Sequence, residues 1–124
     1  MKMFIGGASQ GKLAYAKQMC PQVSWIDGNT CEIEEIYHCQ GIYHFHAYIE
    51  RSLQSGKSVN ELAERVCEKN PDICIVTDEI GYGIVPMDRN LREYREQTGR
   101  ICTKLASFST EVHRIICGIG TRIK

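Results

Sequence analysis

One stretch constrains this chain more than any other: KMFIGGASQGKLAYAKQM, residues 2–19, in which a short apolar run meets a glycine-rich turn and then a helix-forming segment. Gly6 and Gly11, followed by Lys12, have the Gly-x-x-x-x-Gly-Lys spacing of a phosphate-binding loop. The glycines let the backbone curl until several N–H groups point at one anion, and the lysine adds a charge for the outer phosphates. Gly6, Gly7, Ala8, Ser9, Gln10, Gly11, Lys12 and Leu13 are therefore the expected nucleotide-binding segment. A plain turn between strand and helix could carry the same letters. The apolar run before and the helical pattern after favour the phosphate site. Leu13 stands where such loops place a hydroxyl that holds a magnesium ion, and leucine has no oxygen to offer. On this ground alone the loop predicts nucleotide binding more firmly than catalysis, with Ser9 a weak substitute.

With 124 residues the chain suits one domain, 1–124, and no linker-like stretch divides it. Its formal net charge of zero gives no basic face for nucleic acid. The longest apolar runs are too short to cross a membrane. Met1 leads at once into the first strand, so no signal peptide is expected and the expectation is a soluble, cytoplasmic protein. The seven cysteines (Cys20, Cys31, Cys39, Cys67, Cys74, Cys102 and Cys117) form no C-x-x-C pair, which predicts reduced thiols rather than a disulfide framework or a zinc site.

Strand and helix patterns alternate. KMFIG predicts a first strand and Gln10 to Met19 a helix; VSWID, ending at Asp27, predicts a second strand. EIEEIYHCQGIYHFHAYIERSLQSG reads as mostly helical with Gly41 as a possible break, and Ser58 with Glu61 reads as a capping box opening another helix. ICIVT, apolar throughout, predicts a central parallel strand. From Asp88 a long helix is expected to bury Leu91, Tyr94, Thr98, Ile101, Leu105 and Phe108 along one face. VHRIIC predicts a further strand, and TRIK a short last one after a turn at Gly118, Ile119 and Gly120. The fold class that follows is α/β: a three-layer P-loop NTPase-like domain with a mostly parallel sheet. Such sheets bind ligands at the carboxyl ends of their strands, where the loop, Asp27, Asp78 and Glu79 are expected. Asp27 and Asp78 are the candidate Mg2+ ligands, since an acid closing a neighbouring strand often holds that ion. Each is equally compatible with an N-cap or a solvated turn.

VTDEIGYGIVP, then NLREYREQTGRICTKLA and finally EVHRIICGIGTRIK, resembles the C-terminal half of the bifunctional adenosylcobinamide kinase / adenosylcobinamide-phosphate guanylyltransferase family of cobalamin biosynthesis (the CobU type). Gly81, Gly83, Ile84, Val85 and Pro86 carry the specific part of the likeness, and GGASQGK is similar to that family's own loop. The resemblance identifies a shortened member, in which the family's mid-chain segment with its guanylyl-accepting histidine has no clear counterpart. WIDGNT is then similar to the family's acidic strand end, with Asp27 as the surviving acid. The other alignment brings His38, His44 or His46 near the position of the nucleophile. As bare residues these three read as surface or half-buried helix histidines, His44 and His46 pointing apart, and His113 as structural.

What the resemblance implies is a kinase that transfers the terminal phosphoryl of ATP or GTP to adenosylcobinamide, its guanylyltransferase activity lost. Lys12, Glu79 and Asp27 would be the catalytic residues, Mg2+ the ion, nucleotide and corrinoid the partners, and a homo-oligomer the assembly. The alternative is a catalytically degenerate relative that binds nucleotide or corrinoid in a regulatory role.

Overall fold

The computed structural model describes residues 1–80 and 88–124; Gly81, Gly83, Ile84, Val85 and Pro86 lie outside the described residues. Strand β1 (Lys2–Gly6) runs into the glycine loop and helix α1 (Lys12–Met19), followed by β2 (Trp25–Asp27), a 3-10 turn (Ile33–Tyr37) and β3 (Gly41–Tyr43). Helices α2 (Phe45–Gln54) and α3 (Leu62–Lys69) precede β4 (Cys74–Asp78), and α4 (Arg89–Phe108) leads into the hairpin of β5 (Glu111–Ile116) and β6 (Ile119–Arg122). These strands form one sheet in the order β2-β3-β4-β1-β5-β6, parallel except for β5 with β6. The three-layer α/β class expected from the alternation is the one observed, and ICIVT is indeed an interior strand, paired in parallel with β1 and β3.

Alternation along the strands divides the core into two. Phe4, Cys74, Val76 and Ile115 turn to one face and pack under α1 with Ala16 and Cys20. Met3, Ile75 and Val112 turn to the other, into the larger core built with Tyr48, Ile49, Val66, Ile101 and Leu105 of α2, α3 and α4. The connection from β1 thus leaves over one face and that from β4 over the other. Between the carboxyl ends of β1 and β4 lies the switch point where sheets of this kind hold ligands.

Several local expectations give way to tertiary contacts. The stretch expected to be mostly helical contains strand β3, because Gly41, Ile42 and Tyr43 are captured between β2 and β4. Gly41 is required there: a Cβ would lie 2.7 Å from the Trp25 ring and 2.8 Å from Val23. No capping box forms at Ser58; its hydroxyl accepts from the Asn60 amide, and α3 begins only at Leu62. Helix α4 is capped by Asp88, which accepts from the amides of Asn90 and Leu91, but its buried face is shorter than predicted. Thr98, Ile101 and Leu105 are buried, whereas Leu91 and Phe108 are about half exposed. The final turn is Cys117–Gly118, both with positive φ, so β6 already includes Ile119 and Gly120. All seven cysteines are free thiols.

Gly6 ends β1 against the neighbouring strand, where a Cβ would collide with the carbonyl oxygen of Ile115. Gly6→Ala must therefore push β5 aside at the base of the loop. A loss of about 1–3 kcal/mol is expected, the usual cost of overpacking, read as a lowered denaturant midpoint with an unchanged m-value.

Candidate functional site

The loop takes its shape from three anchors. Gly11 has φ +83° and Ser9 +58°, so the chain turns sharply into α1. Gln10 fastens the loop to the β5–β6 turn: its side-chain oxygen accepts from the Cys117 amide at 2.7 Å and its backbone oxygen from the Gly118 amide at 2.8 Å. Lys12 opens α1 and is 7% exposed, its ammonium donating to the Gly7 carbonyl at 2.7 Å and pairing with Asp78 Oδ1 at 2.7 Å. An ammonium this buried needs such partners, since an unpaired one would be lost to deprotonation or drawn back to water.

Asp78 closes β4 opposite Gly6 in the parallel register, which is why it reaches Lys12. Its other carboxylate oxygen lies 3.4 Å from His46 Nε2, while its backbone amide donates to His46 Nδ1 at 3.2 Å. An Nδ1 that accepts requires the neutral tautomer with its proton on Nε2. Burial pushes the His46 pKa below its ordinary value, and His44 and Lys12 push the same way against the opposing pull of Asp78.

His44 sits one residue before α2, at φ +53°, with Nδ1 2.9 Å from Asp27 Oδ1. Asp27 also accepts from the Asn29 amide at 2.9 Å. Burial raises the Asp27 pKa, but the Asn29 amide and His44 outweigh it and hold the carboxyl below its usual range. Arg51 fixes this corner, its fork donating to the carbonyls of Gly28 and Cys31 at 2.8 Å each. Gly28 fits because a Cβ there would collide with the His44 carbonyl.

These pieces enclose a cleft of about 480 Å3 lined by Ala8 to Ala14, Asn29, Tyr43, His44, His46 and Val76 to Asp78. Loop, Leu13 and Asp78 thus share one cavity. Asp27 stands behind His44, and the ring centroids of His44 and His46 are 5.9 Å apart, so the two histidines expected to diverge converge instead. Glu79 lies elsewhere: it pairs through both oxygens with Arg114, at 3.0 and 3.2 Å, on the α4 side of the sheet. His38 is exposed. His113 is buried in β5, held by Glu111 at 2.9 Å and stacked on Phe4. The sequence signal that could have placed His44 and His46 is the β-type run GIY directly before them, which puts both at a strand's carboxyl end.

Loop, switch point and element order define a P-loop NTPase-like α/β domain. The family model for cobinamide kinase / cobinamide phosphate guanyltransferase (CobU) matches residues 34–123, nearly three quarters of the chain, beginning beyond the loop. The bifunctional adenosylcobalamin biosynthesis proteins CobU of Salmonella typhimurium and of Escherichia coli are each 41% identical to it over 59 residues, 47% of this chain. The chain spans only 33% of the length of those curated relatives in these matches. The protein belongs to the CobU family, as its GxGIVP stretch and loop led one to expect. Among the described residues no helix is long and apolar enough to cross a membrane.

Because burial depresses the His46 pKa, the unfolded chain binds more protons than the folded one below about pH 6.5, the ordinary histidine value. Stability should fall as pH drops through that value. Denaturant unfolding at a series of pH values checks this, and His46→Gln should flatten the slope.

Proposed function

We propose that this chain, as a member of its family, transfers the terminal phosphoryl group of GTP or ATP to the amino-propanol hydroxyl of adenosylcobinamide. The observation that carries the reading is the buried Lys12, held at the end of a glycine loop and paired with the acid that closes β4. Loop amides and the start of α1 would receive the phosphates, and Lys12, exchanging Asp78 for a phosphate oxygen, would neutralise the outer two. The acceptor oxygen bonds to the γ-phosphorus, the bond to the β-bridging oxygen breaks, the nucleoside diphosphate leaves, and the hydroxyl proton passes to the Asp78 carboxylate. Little more than positioning and charge is needed for this step.

The residues fit Mg2+ in a limited way. Among the described residues no cluster of three acid, histidine or cysteine side chains could hold a metal ion. Asp78 would supply one carboxylate and the nucleotide and water the remaining ligands, which suits an ion that keeps most of its hydration. Asp27 is two strands from β4, about 10 Å by strand spacing, and engaged with His44, so we assign it to that histidine rather than to the ion. The bound ion would supply charge compensation between phosphates. Glu79, salt-bridged to Arg114, serves the acceptor side in this reading.

A second reading rests on the Asp27–His44 pair. A carboxylate on Nδ1 orients the imidazole and leaves Nε2, without a hydrogen-bond partner among the described residues, to attack phosphorus. The family model's description includes a guanyltransferase; in this reading His44 Nε2 would bond to the α-phosphorus of GTP as the bond to the α–β bridging oxygen breaks and pyrophosphate leaves.

Incubation with adenosylcobinamide, magnesium and ATP or GTP, followed by mass analysis of the corrinoid, tests the first reading. One added phosphoryl group is expected, with activity reduced on the order of 10²–10³-fold in Lys12→Ala and changed little in Leu13→Ser. A large gain in Leu13→Ser, or nucleotide binding without product, would point to the degenerate binding relative instead. For the second reading, GTP alone should leave an acid-labile guanylyl adduct on the His44 peptide. No adduct, or one that persists in His44→Asn, removes it.

A further inference from the structure

Asp78 lines two cavities. One is the loop cleft; the other, about 240 Å3, lies between the sheet and α4, and its wall includes Thr77, Asp78, Glu79, Thr98 and Cys102. Thr98 is 2% exposed, yet its hydroxyl has no hydrogen-bond partner among the described residues. A buried hydroxyl left in this state calls for a polar group that the described residues do not supply. Burial pushes the Cys102 thiol up to about 12, so that part of the wall is neutral.

The wall also selects by charge. Two carboxylates turn anions away, and both already have cations, Lys12 on Asp78 and Arg114 on Glu79. What remains favoured is a neutral group that can both donate and accept, seated among apolar atoms. The volume is too small for a nucleotide or a macrocycle and suits a short alkyl arm ending in a hydroxyl.

We propose that this second cavity is the acceptor subsite: it takes the hydroxyl-bearing arm of the corrinoid, with Thr98 as its hydrogen-bond partner, and presents the hydroxyl to Asp78 beside the nucleotide in the loop cleft. The assignment rests on the phosphoryl-transfer reading above. Asp78 is then the shared wall, facing the acceptor on one side and the loop cleft on the other. Glu79 acts from the acceptor side, which accounts for its distance from the loop.

Gly99 provides the test, because it lines the cavity, a Cβ added there meets no described residue within 4 Å, and leucine is the better helix former. Gly99→Leu should raise the KM for adenosylcobinamide by about tenfold or more while the nucleotide Kd stays within about twofold, and Thr98→Val should raise that KM by about threefold. Wild-type corrinoid KM in both variants, or equal losses for corrinoid and nucleotide, overturns the proposal. Equilibrium dialysis of the corrinoid separates it from the reading beneath. Wild type that binds without turnover sinks phosphoryl transfer but leaves the cavity assigned if Gly99→Leu weakens binding, and removes that too if it does not. Wild type that neither binds nor phosphorylates the corrinoid overturns both.

Discussion

The ammonium of Lys12 is buried where water cannot stabilise it, and the surrounding structure is arranged to compensate. Its two partners come from opposite ends of the chain's logic: the Gly7 carbonyl from the loop itself, Asp78 from a strand more than sixty residues further on. The pair exists only because β4 lies beside β1 in a register that sets Asp78 opposite Gly6. A slip of one residue would turn Asp78 to the other face of the sheet and leave the lysine without its charge partner. The hydrogen bond from the Glu79 amide to the Gly6 carbonyl, 2.8 Å, continues that register past the last paired residues and holds it in place.

Around this pair, each wall of the cleft is supported from a different direction. The β5–β6 turn holds the loop through Gln10, and Gly6 lets β5 come close enough to do so. On the far side Arg51 braces the turn after β2, which keeps Asp27 under His44. His46 joins the two halves, hydrogen-bonded at β4 and projecting from the first turn of α2. A cavity built this way is preorganised, since the polar groups that line it are already tied to strands rather than to free loop ends.

Two independent signals meet at this cleft. The family match begins at Glu34 and takes in β3, α2, β4 and the hairpin, whereas the glycine loop lies before it. The sheet brings the two together, with Lys12 from outside the matched segment and His46 and Asp78 from within it in one polar cluster. The side of β4 that faces α4 is occupied differently, by the Arg114–Glu79 pair and the buried Thr98, so the end of one strand presents two chemically distinct faces.

The loop, the alternation of strands and helices, the interior character of ICIVT and the long helix after Asp88 were all legible in the sequence, because spacing and apolar periodicity act over a few neighbouring positions. Strand β3 was not, since its β-type run of three residues, Gly41 to Tyr43, is too short to stand out inside a helix-like stretch and becomes a strand by pairing between β2 and β4. The same holds for the site. Sequence marked Lys12, Asp27 and Asp78 as chemically able, but the partner of each, and the separation of Glu79 from the loop, follow from strand order and register. Those are set by packing contacts between residues far apart in the chain, and no local pattern of letters records which face of a sheet a neighbour's side chain will meet.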